Sequence, residues 1–278
     1  MSLGDVMPDA VVKPARPEAR AGVAVRSFGA IPLRALSVLS VVAGLVLWEI
    51  AGRFLISNSL FLATPLQVID AAAQLYRAGE LQRHIWVSFQ EFALGYAIAA
   101  VTGILIGLAI ASSKTVSALM NPWIDGLYAT PIIAIAPLVI LWFGIGIWSK
   151  VFVVFSVVVF PVIINTEVGI RNTDRSLVEA VRSFGATPTQ IFLKVSLPSA
   201  LSLILAGLRI GIGRGLIGVV VGELFGARAG LGYLILQSAE VFNMPRLFTG
   251  VMILAIAGIG MTAAFHALER VLVPWRRR

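Results

Sequence analysis

Two arginine residues, Arg209 and Arg214, lie inside a long apolar segment at about 201–225. A guanidinium at bilayer depth is costly and generally faces a partner or a water-filled cavity. Because it carries a fixed charge and five N–H donors, it suits recognition of an anion. For Arg214, which lies deeper, we predict a role in a pathway for an anionic solute. For Arg209, snorkelling to the membrane surface is the favoured interpretation, and a place in the same pathway is the alternative.

Catalytic chemistry has little support in this sequence. There is no cysteine, and the two histidines, His84 and His266, are far apart and form no His-Glu-x-x-His motif. A zinc site is therefore not expected. The chain has no Gly-Lys dipeptide and hence no P-loop, and its Gly-x-Gly pairs follow no predicted strand. We predict no enzyme, no cofactor and no metal, and an energy source outside this chain.

The composition excludes most other classes of protein. Of the 278 residues, 58% are hydrophobic and 13% are charged, whereas soluble domains carry about 25% charged residues. An ordinary soluble domain and a disordered chain are both excluded. The low charge density also argues against nucleic acid as a partner, despite a net charge of +8. A polytopic membrane protein remains.

Apolar runs of about 20 residues predict membrane-spanning helices. The runs are unbroken, whereas β-barrel strands would alternate apolar and polar residues. We therefore predict an all-α protein in a lipid bilayer with about six spans. The predicted spans are 35–52, 92–111, 127–143, 147–166, 201–225 and 247–268.

The distribution of Lys and Arg predicts the orientation of these spans. If the N-terminus is cytoplasmic, the termini and the connections at 111–126 and 167–200 carry more than twice as many Lys and Arg residues as the other side. The positive-inside rule then places both termini in the cytoplasm. Residues 1–30 are polar and proline-containing and predict a mobile tail. Residues 31–270 form the membrane domain, and 271–278 form a basic C-terminal tail.

The segment 53–91 should then lie outside the membrane on the other face. Thr64, Pro65 and Gln67 have the order of an N-cap, a first-turn proline and a capping box. We predict a short surface helix from Val68 to Arg77, and a second one from about Leu81 that leads into the next span.

The loop at 167–200 is long and strongly patterned. Asp174 can cap a helix, and Ser176 with Glu179 forms a competing capping box one turn later. Gly185 suits a helix end with positive φ. Thr187, Pro188, Thr189 and Gln190 then repeat the N-cap pattern. The loop therefore predicts two short helices with a sharp turn between them, and by itself such a hairpin could equally pack on its own helical bundle.

The detailed spacing in this loop resembles a known motif. Glu179, Ala180 and Val181 are followed by Gly185, Phe192 and the pair Leu197-Pro198. This order resembles the EAA loop of permease subunits in binding-protein-dependent ABC importers, with Val181 where the motif has a second alanine. Other stretches, such as 62–65, 141–146 and 230–233, are similar to the nitrate/sulfonate/taurine-type subgroup. The resemblance covers roughly residues 40–270.

This resemblance implies a type I ABC importer permease fold and a set of partners. Two copies of the permease would form the pathway, two ATP-binding ABC subunits would drive it, and an extracytoplasmic solute-binding protein would deliver the solute. The coupling positions carried over are Glu179, Ala180, Gly185, Phe192 and Pro198. The bacterial cytoplasmic (inner) membrane is the implied location. A secondary transporter or channel subunit is the alternative, although internal repeats and clustered intramembrane acids, which secondary transporters show, are missing from the sequence.

Small residues and acids near the pathway allow two interpretations each. Gly207, Gly211 and Gly215 recur every four residues and allow close helix approach, either at a dimer interface beside the pathway or in internal packing.

Glu49, Glu91 and Glu223 fall near outer span ends. We expect solvated interfacial charges there, with an ion pair or a contact to the binding protein as the alternative. The predicted pathway residues are Arg214, Arg209, Gly211, Gly215 and Glu223.

Overall fold

The computed structural model describes residues 33–56 and 60–273. These residues form helices and no strand. The helices are α1 (Leu33–Ile50), α2 (Pro65–Arg77), α3 (Glu80–Ser112), α4 (Lys114–Ala129), α5 (Ile132–Phe143), α6 (Ile147–Arg171), α7 (Arg175–Ser183), α8 (Pro188–Ile191), α9 (Leu197–Leu224), α10 (Leu231–Glu240) and α11 (Met244–Leu272). The predicted tail 1–30 and residues 274–278 of the predicted C-terminal tail lie outside the described residues.

The chain divides into two units, Met1–Gly44 and Leu45–Arg278. In the first, the structure describes the beginning of α1, where the Ser40 hydroxyl donates to the Ser37 carbonyl at 2.8 Å. The second unit contains α2 to α11.

The predicted all-α architecture is confirmed. Among the described residues, five segments are long and apolar enough to cross a membrane: Ala35–Leu55, Glu80–Ser112, Ile147–Arg171, Pro188–Leu224 and Met244–Leu272. The helix through 80–112 is one element of 33 residues, so the predicted short helix from Leu81 is the first part of this span. The surface helix begins at Pro65, and Thr64 and Gln67 form the predicted capping box.

The predicted span 127–143 is sharply bent, because the helix breaks within it. Helix α4 ends at Ala129 and α5 begins at Ile132, with an angle of 97° between them. The residue before a proline is pushed out of the α region, and Thr130 before Pro131 is extended, at φ −71° and ψ 129°. The predicted connection at 111–126 is also mostly helix α4.

The core of the second unit is a sandwich of three long helices. Glycines of α3 lie against α6: a Cβ at Gly95 would fall 2.6 Å from Val154 Cβ, and one at Gly107 would fall 2.6 Å from Thr166 Cβ. Helices α3 and α6 therefore run in the same direction, while α9 runs antiparallel and places Gly222 beside Lys150 at the start of α6. One end of the sandwich carries α7 and α8, which we call the hairpin end; the other is the opposite end.

Candidate functional site

The hairpin formed by α7 and α8 is held by local caps. The Asp174 carboxylate accepts the backbone N–H of Ser176 at 2.8 Å, and this hydrogen bond lowers the pKa of Asp174 below its ordinary value. Asp174 is thus the cap of α7, in preference to the competing Ser176 box. Thr187 and Gln190 form the predicted capping box of α8. Gly185 between the helices has φ +81°, a left-handed conformation that glycine adopts without strain.

The apolar face of α7 is only partly covered within the described chain. No residue of α7 is buried, and the Phe184 side chain at its end is 90% exposed. Leu177 is also exposed, as are Glu179 and Ala180 of the predicted coupling motif. Of the hairpin, α7 is therefore the part that packs least on the helical bundle.

The base of the hairpin is fixed to the long helices. Ile191 is buried, and Phe192 packs on a cluster that contains Ile170, Ala200 and Ile204. From Phe192 to Ser196 the chain makes a π-helical turn, and it continues through Pro198 directly into α9. Helix α8, this turn and α9 therefore form one continuous helical path from the hairpin to the helix that carries Arg214.

A cavity of about 440 Å³ lies around Arg214. The Arg214 guanidinium donates to the Tyr128 hydroxyl at 2.8 Å, and its Cζ atom lies 4.9 Å from the centre of the Tyr128 ring. Thr130 and Ser156 are polar groups of the same lining, and the remaining lining residues are largely apolar. Arg214 is the only charged side chain among the lining residues. Because its charge is positive, an anion is the ligand that the cavity would attract.

The break between α4 and α5 creates this cavity. Five consecutive residues at the break, 129–133, form part of its wall. The position of Arg214 along the long helices is given by Gly215, the next residue of α9. Gly215 packs against Val158, which lies near the midpoint of α6. Arg214 thus lies close to the middle of the spanning helices, where an arginine is expected to face a cavity.

The other predicted pathway residues do not line this cavity. Arg209 lies toward the hairpin end, with its Nη1 atom 3.7 Å from Oε2 of Glu269 and 3.5 Å from Nδ1 of His266. Gly211 and Gly215 face inward: a Cβ at Gly211 would fall 2.9 Å from Val158 Cγ1, and one at Gly215 would fall 2.8 Å from the Phe92 ring. For these glycines the structure agrees with internal packing.

The expectation of solvated charges is wrong for two of the three glutamates. Glu223 is 1% exposed and Glu91 is 4% exposed, because both point into the interface between the long helices at the opposite end. Glu223 accepts hydrogen bonds from Ser88 and from the backbone of Gly232. Glu49 forms the ion pair with Arg53 that was the alternative for it.

Sequence reasoning missed the partners of Arg214. Tyr128, Thr130 and Ser156 belong to segments that were treated as span interiors. The available signal was Pro131, which forces the chain out of the helix beside Tyr128 and Thr130. Within the part of the chain that the structure describes, no group of three His, Cys, Asp or Glu residues is placed to hold a metal ion.

Comparison with known proteins gives concordant matches. A family model described as "Binding-protein-dependent transport system inner membrane component" matches residues 99–278. The chain is similar to the formylaminopyrimidine transport permease protein of Halalkalibacterium halodurans, with 35% identity over 84% of this chain and 93% of that protein. It is also similar to the taurine transport system permease protein of Escherichia coli, with 31% identity over 86% and 89%. A methionine ABC transporter in an inward-facing conformation shares the fold, with a TM-score of 0.60, 22% identity and coverage of 70% of this chain and 97% of that one.

Proposed function

This chain belongs to the family of inner membrane components of binding-protein-dependent transport systems, and from that premise we propose that it conducts a small organic or inorganic anion and is driven through the α7–α8 hairpin. As a family member it is a multi-pass inner-membrane permease of an ABC importer and not an enzyme. The solute, the coupling residues, the copy number and the orientation are parts of the proposal.

The exposed part of α7, with Leu177 and Phe184, is the observation that carries the coupling proposal. An apolar helix face that is rigid, capped at both helix starts and exposed needs a partner to cover it. The partner we propose is an ATP-binding ABC subunit whose groove receives α7, with Glu179, Ala180 and Gly185 at the contact. Phe192 and Pro198 then join the hairpin to α9, so that closure of the ATPases moves α9 as a rigid body. The proposal therefore assigns the hairpin end to the cytoplasm, and the distribution of Lys and Arg supports a cytoplasmic location for both termini as well.

A charge reversal tests the docking. The permease is copurified with its ATP-binding subunit as wild type, as Glu179→Lys and as Glu240→Lys, which makes the same change on an exposed carboxylate at the opposite end. We expect Glu179→Lys to lower recovery of the ATPase by about tenfold or more, which is typical of a central interface position, and Glu240→Lys to leave it unchanged. Equal recovery in all three proteins would exclude the hairpin as the docking element.

Arg214 supports an anionic solute. It is the one charge in a largely apolar cavity at mid-depth, and the name of the Escherichia coli relative refers to taurine, which carries a sulfonate. In uptake assays with the complete importer, we expect Arg214→Ala to lose transport of the anion and Arg214→Lys to retain part of it. Arg228→Ala, at an exposed arginine outside the cavity, is the control. Unchanged rate and affinity in Arg214→Ala would refute the anion pathway.

A second copy of the permease completes the proposed pathway. Ile210 and Ile217 lie near Arg214 on α9, and both side chains are exposed. Since the chain contains no cysteine, a single Ile217→Cys variant can report the neighbour by oxidative cross-linking. We expect a disulfide-linked dimer from Ile217→Cys and none from Ile259→Cys, an exposed position on α11. The solute-binding protein would then dock at the opposite end.

A further inference from the structure

The start of α10 is held by side chains of two other helices. Three consecutive backbone N–H groups begin this helix, and the first turn of a helix offers them no intrahelical acceptor. Nδ1 of His84 accepts the N–H of Gly230 at 3.0 Å, and the Ser88 hydroxyl accepts that of Leu231 at 2.8 Å. The Glu223 carboxylate accepts that of Gly232 at 2.5 Å. We call these side chains, His84, Ser88 and Glu223, the latch.

The latch is internally connected. The single proton of the Ser88 hydroxyl goes to Oε1 of Glu223 at 2.5 Å, so the serine donates to the carboxylate while it accepts from Leu231. Both oxygens of Glu223 are therefore engaged. A buried carboxylate is tolerated only when it is hydrogen-bonded in this way, and a helix N-terminus stabilises negative charge. Loss of Ser88 or of Glu223 removes more than one of these hydrogen bonds at once.

The two glycines at the start of α10 are required for this geometry. Gly230 has φ +125°, and a Cβ there would overlap the Glu223 carboxyl group. A Cβ at Gly232 would lie 2.9 Å from the backbone oxygen of Val220 and 3.0 Å from Oε2 of Glu223. The backbone of α10 can approach α9 this closely only without side chains at both positions.

The other end of α10 stores strain. Phe242, in the turn between α10 and α11, has φ +53°, which is a rare and costly conformation for a residue that is not glycine. The Phe242 and Val241 side chains are exposed at this turn. Helix α10 is therefore fixed at its start by side chains of α3 and α9, and a strained turn follows its end.

We propose that Glu223 is a positioning residue for transport: through the latch it holds α10 as a gate element at the end of the permease opposite the hairpin. The proposal rests on the proposed function, since a gate has meaning only in a conducting permease. When the latch is made, α10 stays fixed to α3 and α9. Release of the three N–H groups lets α10 move relative to them.

Two readouts on the reconstituted importer test the gate. The first is the labelling rate of a buried reporter, Ser238→Cys on α10, by a membrane-impermeant maleimide, which the cysteine-free chain permits. The second is the ratio of taurine imported to ATP hydrolysed, with taurine as the probe. The variants are Glu223→Gln, whose amide can accept from only one of its two donors, and Ser88→Ala. Glu240→Gln makes the same chemical change at an exposed position of α10 and is the control.

We expect Glu223→Gln and Ser88→Ala to raise the labelling rate by about fivefold or more, because a buried hydrogen bond is lost, and to lower the transport ratio. A merely structural role would reduce the amount of folded complex and leave that ratio unchanged. Unchanged labelling, or raised labelling with an unchanged ratio, overturns the proposal. If Glu223→Gln does not assemble, Ser88→Ala alone decides by the same criteria. A wild-type complex that couples no solute import to ATP hydrolysis contradicts the proposed function instead. If the wild type does not import taurine but imports another solute with an anionic group, that solute serves as the probe.

Discussion

The internal packing of the α9 glycines can be tested by a single methyl group. A Cβ at Gly207 would lie 2.7 Å from the Cβ of Asn165 and 3.0 Å from the carbonyl oxygen of Pro161 in α6. Ordinary contacts of this kind begin at 3.4 Å. One of the atoms in conflict belongs to the backbone, so α9 and α6 must separate by several tenths of an ångström along their shared surface. Gly260 in α11 is the matched control, since a Cβ there has no described atom within 4 Å.

The expected magnitude follows from two opposing terms. Overpacking of a tight core costs about 1–3 kcal/mol, and a backbone conflict puts Gly207→Ala at the upper end. Replacement of a mid-helix glycine by alanine gains about 1 kcal/mol in helix stability, and both variants share this gain. The free energies of unfolding of Gly207→Ala and Gly260→Ala should therefore differ by about 3 kcal/mol. For a protein of this size that corresponds to a Tm difference of about 6–12 °C.

Thermal unfolding of the purified permease in one detergent, followed by loss of the monodisperse peak in size-exclusion chromatography, measures this difference. We expect Gly207→Ala to melt below wild type and Gly260→Ala to melt at or above it. Equal melting temperatures for the two variants would show that the glycines of α9 are not held against α6, and the dimer-interface interpretation of the glycine repeat would then replace internal packing.

Three further predictions concern the hairpin and the cavity. Gly185→Ala should destabilise the left-handed turn between α7 and α8 by about 1 kcal/mol and lower copurification of the ATPase by about fivefold. Asparagine tolerates this conformation, so Gly185→Asn should lower copurification less. Tyr128→Phe removes a charge-assisted hydrogen bond from Arg214 and should raise the half-saturating solute concentration in uptake by about fivefold. An unchanged concentration would show that Tyr128 does not position Arg214. Thr187→Ala removes an N-cap worth about 1 kcal/mol and should speed tryptic cleavage after Lys194 by about fivefold, with Thr187→Ser as the control.

Local features of this fold follow from the sequence because their causes are local. The capping boxes at Thr64 and Thr187 and the turn at Gly185 each depend on residues within one helical turn. The apolar spans follow from composition over about 20 residues. Each of these features depends on local sequence, and the two capping boxes and the turn at Gly185 were predicted correctly.

The contacts of the candidate cavity join distant parts of the chain and leave no such signal. Tyr128 and Arg214 are 86 positions apart, and they meet because the helix breaks at Thr130–Pro131. The apolar run from 127 to 143 predicts a span, but hydropathy does not give the 97° angle at which the helix breaks. The proline was visible, but the direction of the chain after it depends on how α5 packs against α6.

The charged residues near span ends show why burial is hard to predict from hydropathy alone. Glu49 and Glu223 occupy similar positions, each at the end of an apolar run. Glu49 forms an ion pair with Arg53 one turn away and remains partly exposed. Glu223 is buried and accepts hydrogen bonds from the Ser88 hydroxyl and the Gly232 backbone. The glycines contribute to this difference, because Gly230 and Gly232 let the backbone approach the carboxylate, and the N–H of Gly232 donates to it. A glutamate followed seven and nine residues later by glycines at a helix start is therefore the pattern that indicates a buried carboxylate here, and a charge-only interpretation overlooks it.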